Sequence, residues 1–305
     1  MRRGTIIGRP QSSTVRARAL AVLACSLLSS TLLCAQWPAF PTPSVPRTAD
    51  GKPKFDAPPP RTPEGKPDLS GVWETVPCTG CVPAAGKSLT TAGALPAADE
   101  PPVRKAPPDP SGFVFGNIGA SMPDHKAPYQ PWAAELVAKR KADNSKDNPD
   151  AHCLPMGIMQ LNSHPYPRKI IQTPAELLMI YEGSGTTVRE IFLDGRPLPK
   201  DPDPWWNGYS TGHWEGDTLV VETSGLMDDG WLDVVGSPLT SAGKLIERFR
   251  RPNYGSLELS VTIDDPKAYT RPFTADVHYF IMLDTQLIEF VCIDKDAAHY
   301  IGAAK

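Results

Sequence analysis

Four ionisable residues sit in strand-like segments at positions where chemistry is conceivable: Glu182, Arg189, His278 and Glu289. Glu182 shares a strand face with Leu178 and Ile180, Arg189 with Ile191, and Glu289 with Leu287 and Val291. A charge on an apolar strand face must be paired or wetted. Were several to meet in a cavity, two carboxylates and an arginine could carry general acid–base chemistry, for example on a sugar. An internal ion-pair network, or plain exposure, is the other reading. His278 and Asp276 alternate with Ala275, Val277 and Tyr279, so they occupy the opposite face.

A second constellation is aromatic. Trp205, Trp206, Tyr209 and Trp214 crowd ten residues, with Trp231 beyond. Such rings stack on sugars or flat organic molecules at the mouth of a pocket, or they cap a core. Gly208-Tyr209-Ser210-Thr211-Gly212 has the G-x-S-x-G spacing of a serine nucleophile, followed by His213. A nucleophile elbow needs a strand before the serine and a helix after it. Here a Pro- and Trp-rich loop precedes the motif and strand-forming residues follow it, which fits a glycine-framed entry into a hairpin. Asp228-Asp229-Gly230 and Asp264-Asp265-Pro266 read as turns and lack EF-hand ligand spacing.

The first 35 residues contain five arginines, no acid and the apolar run Ala19–Leu33, and they end in Leu33-Cys34-Ala35. That is the pattern of a cleaved secretory signal and places the protein in the periplasm or outside the cell. Its loss would leave 26 basic and 34 acidic residues, a balance opposite to that of a nucleic-acid binder. It would also leave Cys78, Cys81, Cys153 and Cys292, an even set that suits disulfides in an oxidising compartment. Four cysteines allow three pairings, and the spacing does not choose among them. Cys78-x-x-Cys81 completed by Cys153 with His152 or His164 is the metal-binding alternative, and a thioredoxin-like redox pair would need a βαβ context that the sequence lacks. The residues call for no cofactor and no metal. No apolar run long enough to span a membrane follows the signal.

The elements that must position these residues fall into two unlike parts. Twenty-one of the 35 prolines lie between Gln36 and Pro131, which excludes extensive helix or central strand there. Within that part Pro46-Arg47-Thr48-Ala49-Asp50-Gly51-Lys52-Pro53 is echoed fourteen residues later by Pro60-Arg61-Thr62-Pro63-Glu64-Gly65-Lys66-Pro67. We read 36–67 as an extended arm lying on a single domain, 68–305, with a long irregular insertion at 77–167. Gly71–Val76 predicts a strand, and Gln130–Asn144 a helix with Trp132, Leu136 and Val137 near one face. From Lys169 onward nine short strands follow: 169–172, 176–182, 187–193, 212–215, 218–223, 245–250, 256–263, 273–280 and 287–293. Gly216-Asp217 is the hairpin turn between the fourth and the fifth. Leu257, Leu259, Val261 and Ile263 alternate with polar residues, the mark of a sheet with one wet face. The expected fold is mostly β: an antiparallel meander forming a barrel or strongly curved sheet, with a Pro-rich arm and one short helix.

Two resemblances add to this. Asp68-Leu69-Ser70-Gly71-Val72-Trp73 is similar to the G-x-W start of lipocalin-like (calycin) barrels, which implies a tryptophan plugging one barrel end under an arginine from a late strand. The stretches Cys153–Pro155, Asp201–Ser210, Trp214–Thr223 and Thr262–Tyr269 resemble an uncharacterised family of exported bacterial proteins. That likeness implies fold and export, not chemistry. The reading that follows is an exported barrel binding a small organic or glycan ligand through Trp205, Trp206, Tyr209 and Trp214. The alternatives are a hydrolase, lyase or isomerase using Glu182, Arg189, Glu289 and His278, or a structural envelope protein without a pocket.

Overall fold

A computed structural model describes residues 40–75, 116–122, 126–183 and 187–292. The expected signal segment, Cys78, Cys81 and much of the insertion lie outside the described residues. The described residues from Pro41 onward form one compact unit.

Among the described residues nine strands close into a barrel. In chain order they are β1 (Gly71–Thr75), β2 (Arg168–Gln172), β3 (Glu176–Tyr181), β4 (Val188–Phe192), β5 (Tyr209–Glu215), β6 (Thr218–Ser224), β9 (Lys244–Asn253), β10 (Ser256–Asp264) and β11 (Phe273–Met282). Two short strands, β7 (Gly230–Trp231) and β8 (Pro238–Leu239), form a separate ribbon between β6 and β9. Each barrel strand pairs with its neighbours in this sequence, and β1 closes the ring by pairing with both β2 and β11. Closure removes the free edges that an open sheet of this size would expose.

The alternation expected of β10 is present, and β9 and β11 share it. Leu245, Phe249, Leu257, Leu259, Val261, Ile263, Ala275 and Val277 are buried and belong to one continuous core. The hairpin at Gly216-Asp217 joins β5 and β6 in register, Glu215 facing Thr218.

Three details differ from the sequence expectation. The segment 287–292 is irregular rather than a strand, because the ring is already closed through β1 and offers it no edge. It is held instead by its backbone, where Ile288 N–H donates to the Glu182 carboxylate (3.1 Å). β4 and β5 pair in parallel at Phe192 and Thr211, since the loop 193–208 carries the chain back along the barrel before β5 begins. Helix α1 (Pro131–Ala142) starts at a proline as expected, but it buries Ala133 and Val137 and leaves Trp132 outward.

A second helix, α2 (Ile158–Ser163), buries all six of its residues. Strand direction defines two barrel ends. The first holds the start of β1 and the β2–β3, β5–β6 and β9–β10 turns. The second receives α1, α2 and the β7–β8 ribbon. The Pro-rich arm folds at the first end as two small loops (46–54 and 60–68), so we call it the strap end, and the other the plug end. Cys153 and Cys292 form a disulfide that ties the segment before α2 to the C-terminal tail.

Candidate functional site

The polar chemistry of the lumen gathers around α2. Arg189 on β4 and Glu247 on β9 both point inward because they share a strand face with Ile191 and with Leu245 and Phe249. Arg189 Nη1 donates to Glu247 Oε1 (2.8 Å), and Nη2 donates to Oε2, a two-pronged pair with neither side chain more than 1% exposed. Arg189 Nη2 also reaches Ser210 Oγ (3.1 Å) and Thr223 Oγ1 (3.0 Å). Burial by itself would depress the Arg189 guanidinium, but the Glu247 carboxylate beside it more than reverses this, and the net shift is upward.

Helix α2 docks onto that pair. Asn162 Nδ2 donates to Glu247 Oε1 (2.8 Å), and Tyr181 O–H donates to Asn162 Oδ1 (2.8 Å). Tyr279 O–H donates to the Asn162 carbonyl (2.7 Å) and Thr75 O–H to the His164 carbonyl (2.8 Å). Arg168 Nη2 donates to the carbonyls of His164 and Tyr166, and its guanidinium lies 4.6 Å from the centre of the Tyr279 ring. The carbonyls at the C-terminal end of a helix need such partners, and a cation there suits the helix dipole. Burial, then the nearby Arg168, push the His164 imidazole well below its usual range, which keeps it neutral. Burial likewise raises the Tyr181 phenol to about 12, which keeps it a donor. The arrangement is a self-plug: the chain's own Asn162 amide and the carbonyls behind it take the Glu247, tyrosine and threonine groups of the lumen and one Nη of Arg168, while Arg168 Nε and Nη1 and Arg189 Nε stay buried without a hydrogen-bond partner among the described residues.

The four candidate acid–base residues do not meet. Arg189 is in the lumen, fully engaged with Glu247 on both prongs. Glu182 follows β3 at the plug end, its carboxyl held by the Ile288 amide and shifted upward by burial. His278 lies on the outer face of β11, opposite Glu258, and Glu289 is exposed on the tail. Ser210 is the second residue of β5 and points inward, bonded to Arg189 and Thr223, and His213 points outward into solvent. Gly208 has φ +56°, and a Cβ there would lie 2.6 Å from the Ser224 carbonyl oxygen. Those contacts explain the first glycine of the motif as a strand entry.

The aromatic residues also separate. Trp214 faces inward at the strap end, against the core. Tyr209 faces outward five residues earlier, roughly 16 Å along the strand at about 3.3 Å per residue. It packs on Phe192 (5.2 Å between ring centres), where Arg196 lies 4.0 Å from the Phe192 ring centre. Trp205 is exposed and Trp206 half-buried in the turn that precedes β5.

Sequence reasoning missed Glu247 and Asn162. Glu247 carried a signal, since it lies two residues from Leu245 and from Phe249. It also missed an outer groove of about 470 Å³ at the plug end, lined by Trp132, Leu136 and Arg140 of α1, with Asp228, Thr240 and Lys267 around it. Trp132 Nε1 donates to the Lys267 carbonyl (2.8 Å), which pins the indole upright. Arg140 lies 4.1 Å from the centre of the Trp231 ring and donates to the Gly236 carbonyl (2.7 Å). Among the described residues no three His, Cys, Asp or Glu side chains gather as a metal site, and no helix is long and apolar enough to cross a membrane.

Fold and site together define a closed β-barrel plugged by its own chain. Compared with protein-family models, with curated proteins and with solved structures, the chain matches none of them.

Proposed function

We propose that this chain is an exported barrel that works through its outer surface, as a structural or docking component outside the cytoplasm. The observation that carries this reading is the plug. Glu247, Tyr181, Tyr279, Thr75 and Arg168 direct hydrogen bonds at α2 and the His164 that follows it, Arg189, Ser210 and Thr223 are tied to one another, and the candidate acid–base residues point to four different places. A docking role is further supported by apolar side chains on the outside of the plug end. Leu154, Tyr166, Ile288 and Val291 are exposed around the Cys153–Cys292 bond, and exposed apolar groups that cluster mark contact surfaces. That disulfide is compatible with an oxidising compartment, and the Arg-rich N-terminal segment supports export. Kinship with lipocalin-like barrels is part of the proposal. It is supported by the Arg251 guanidinium, 4.8 Å from the centre of the Trp73 ring at the strap end.

The test is native mass spectrometry of the chain isolated from its own cells. The bare protein mass is expected. A stoichiometric small molecule that leaves only on unfolding would overturn the reading in favour of a lumen carrier.

A second reading is favoured by the outer groove: a small organic or glycan ligand held against Trp132, with Arg140 and Lys267 at hand. Its test is titration with a panel of sugars and organic acids, followed by tryptophan fluorescence. A saturable change in the parent chain that Trp132→Ala abolishes would establish it, and a flat response across the panel would remove it.

A further inference from the structure

The two copies of the fourteen-residue echo fold alike. In each, a threonine N–H donates to a lysine carbonyl four residues on (Thr48 to Lys52, 2.9 Å; Thr62 to Lys66, 2.8 Å). A glycine N–H closes the turn (Gly51 to Thr48, 2.9 Å; Gly65 to Thr62, 2.9 Å). Both glycines have left-handed backbone, φ +84° and +77°, the geometry of a tight turn ending in a glycine bulge. In each loop an arginine Nη1 donates to that glycine's carbonyl (Arg47 to Gly51, 2.8 Å; Arg61 to Gly65, 2.7 Å). The guanidinium is therefore held in one posture before it meets anything else.

What the second loop does with that posture is visible. Arg61 Nη1 and Nη2 donate to Asp217 Oδ1 (2.9 Å) and Oδ2 (2.7 Å), a fork on the carboxylate of the β5–β6 turn. Lys66 Nζ adds a long bond to the Gly216 carbonyl (3.4 Å). The loop is a clamp for a Gly-Asp β-turn. The first loop lies by the β9–β10 turn, where Tyr254 N–H and Gly255 N–H donate to Ala57 and Phe55 (2.8 Å each). That turn reads Asn253-Tyr254-Gly255 and offers no carboxylate. Among the described residues Arg47 makes its Gly51 bond and no ion pair, and it is exposed.

We infer that the first loop, Pro46–Lys54, is a docking element for a carboxylate-bearing β-turn on a partner protein, recognised by Arg47 as Arg61 recognises Asp217, while Lys52 is held within the loop by Asp50 (3.1 Å) and leaves the fork to Arg47. Pre-set arginine forks suit planar carboxylates, because two parallel bonds form without reordering the donor. One exposed fork binds weakly, so affinity with a lone turn falls on the order of 1 mM, and a natural partner adds surface beyond it. The inference rests on the outer-surface docking reading above and adds to it a polar contact at the strap end, apart from the apolar one at the plug end.

The test uses the full chain, labelled for NMR, and a cyclised peptide of its own β5–β6 hairpin, residues 209–224. Saturable shifts are expected at the Arg47 side chain and the Gly51 and Lys52 amides, with Arg61 unmoved because its slot is filled. The same peptide carrying Asp217→Asn should shift none of them, and Arg47→Gln in the protein should abolish the response while leaving the amide spectrum otherwise intact. No shift at millimolar peptide, or an equal response to the Asn peptide, overturns the inference. Self-association of the parent chain that Arg47→Gln abolishes overturns it too, by making the occupant a second copy. A ligand found in the lumen would instead remove the docking reading without moving Arg47, so the two failures are distinguishable.

Discussion

At the strap end the barrel is sealed by an indole. Trp73 is fully buried, its Nε1 donates to the Leu69 carbonyl (3.0 Å), and Arg251 covers the ring while donating to the carbonyls of Asp68 and Tyr254. At the plug end the seal is a short helix pinned by a buried ion pair and three hydroxyls. Both are made of the chain itself, yet they are held by different physics. The packing of an indole tolerates imprecise geometry, because dispersion and burial are non-directional, and the directional bonds at that end are those of the indole N–H to one carbonyl and of Arg251 to two. A buried charge pair stabilises only while every partner is present, and losing one leaves the other stranded in a low dielectric. The plug end is therefore the specific closure and the fragile one.

The sharpest way to break this comparison is Glu247→Gln. It leaves the Arg189 cation buried beside a neutral amide and also disturbs Asn162, and removing one member of a buried pair costs about 3–5 kcal/mol. At the strap end Arg251→Met removes a cation that pairs with carbonyls alone, and stranded carbonyls cost about 1–3 kcal/mol. Denaturant midpoints of the two variants should fall in that order. Equal losses would mean that the two ends are held alike. The double variant Arg189→Met/Glu247→Leu should recover most of the Glu247→Gln loss, since replacing both charges is close to neutral.

The same contrast shows why one end was easier to read than the other. Gly71-Val72-Trp73 at the strap end announces its strand and its tryptophan. So do the Gly216-Asp217 hairpin and the alternation of β10, because a two-residue period on a half-wet sheet is written directly in polarity. The plug was not legible. Six residues are too few to show a helical period, and a helix buried on every side has no polar face to contrast with. Leu287, Ile288, Phe290 and Val291 have the composition of a strand but form none, because β-propensity expresses a preference for a pleated surface and cannot supply the missing neighbour. Arg189 was visible as an inward charge. Its partner lies 58 residues on, and only the closure of the ring brings β9 to within reach of it. The outer groove depends on where α1 settles against the 265–272 loop, which no local pattern encodes.

A smaller and pH-dependent effect sharpens the account of the plug end. Asp233 is fully buried and accepts from Ile118 N–H (2.6 Å), Ser237 N–H (2.8 Å) and Ser237 O–H (2.7 Å). Burial raises its carboxyl to about 6 against an ordinary 3.8, although those hydrogen bonds pull the other way. A carboxyl raised by folding binds its proton more tightly in the native state. Its contribution is therefore fully present below about 4 and is lost as pH rises through about 6. At about 1.4 kcal/mol per unit, the loss over that window is on the order of 3 kcal/mol. Unfolding free energies of the parent and Asp233→Asn, measured from pH 4 to 7, should show the parent's relative stability declining by that amount. A difference that stays constant with pH would mean that Asp233 titrates normally.

The smallest expected effect is at the strap, where Arg61 and Asp217 are both exposed. A fork in solvent is screened by water and salt and contributes little to global stability. Arg61→Gln should leave the unfolding midpoint of the barrel unchanged. It should nevertheless release the second loop from the β5–β6 turn, so that the carboxylate of Asp217 turns from a clamped group into a free one. Amide exchange at residues 60–68 should quicken in Arg61→Gln and in Asp217→Asn alike, and in the parent chain at high salt, while exchange at 46–54 stays as it was. If the second loop held its protection without Arg61, its place on the barrel would be owed to the buried Pro67 and Leu69 that follow it. The fork would then be a consequence of docking and not its cause.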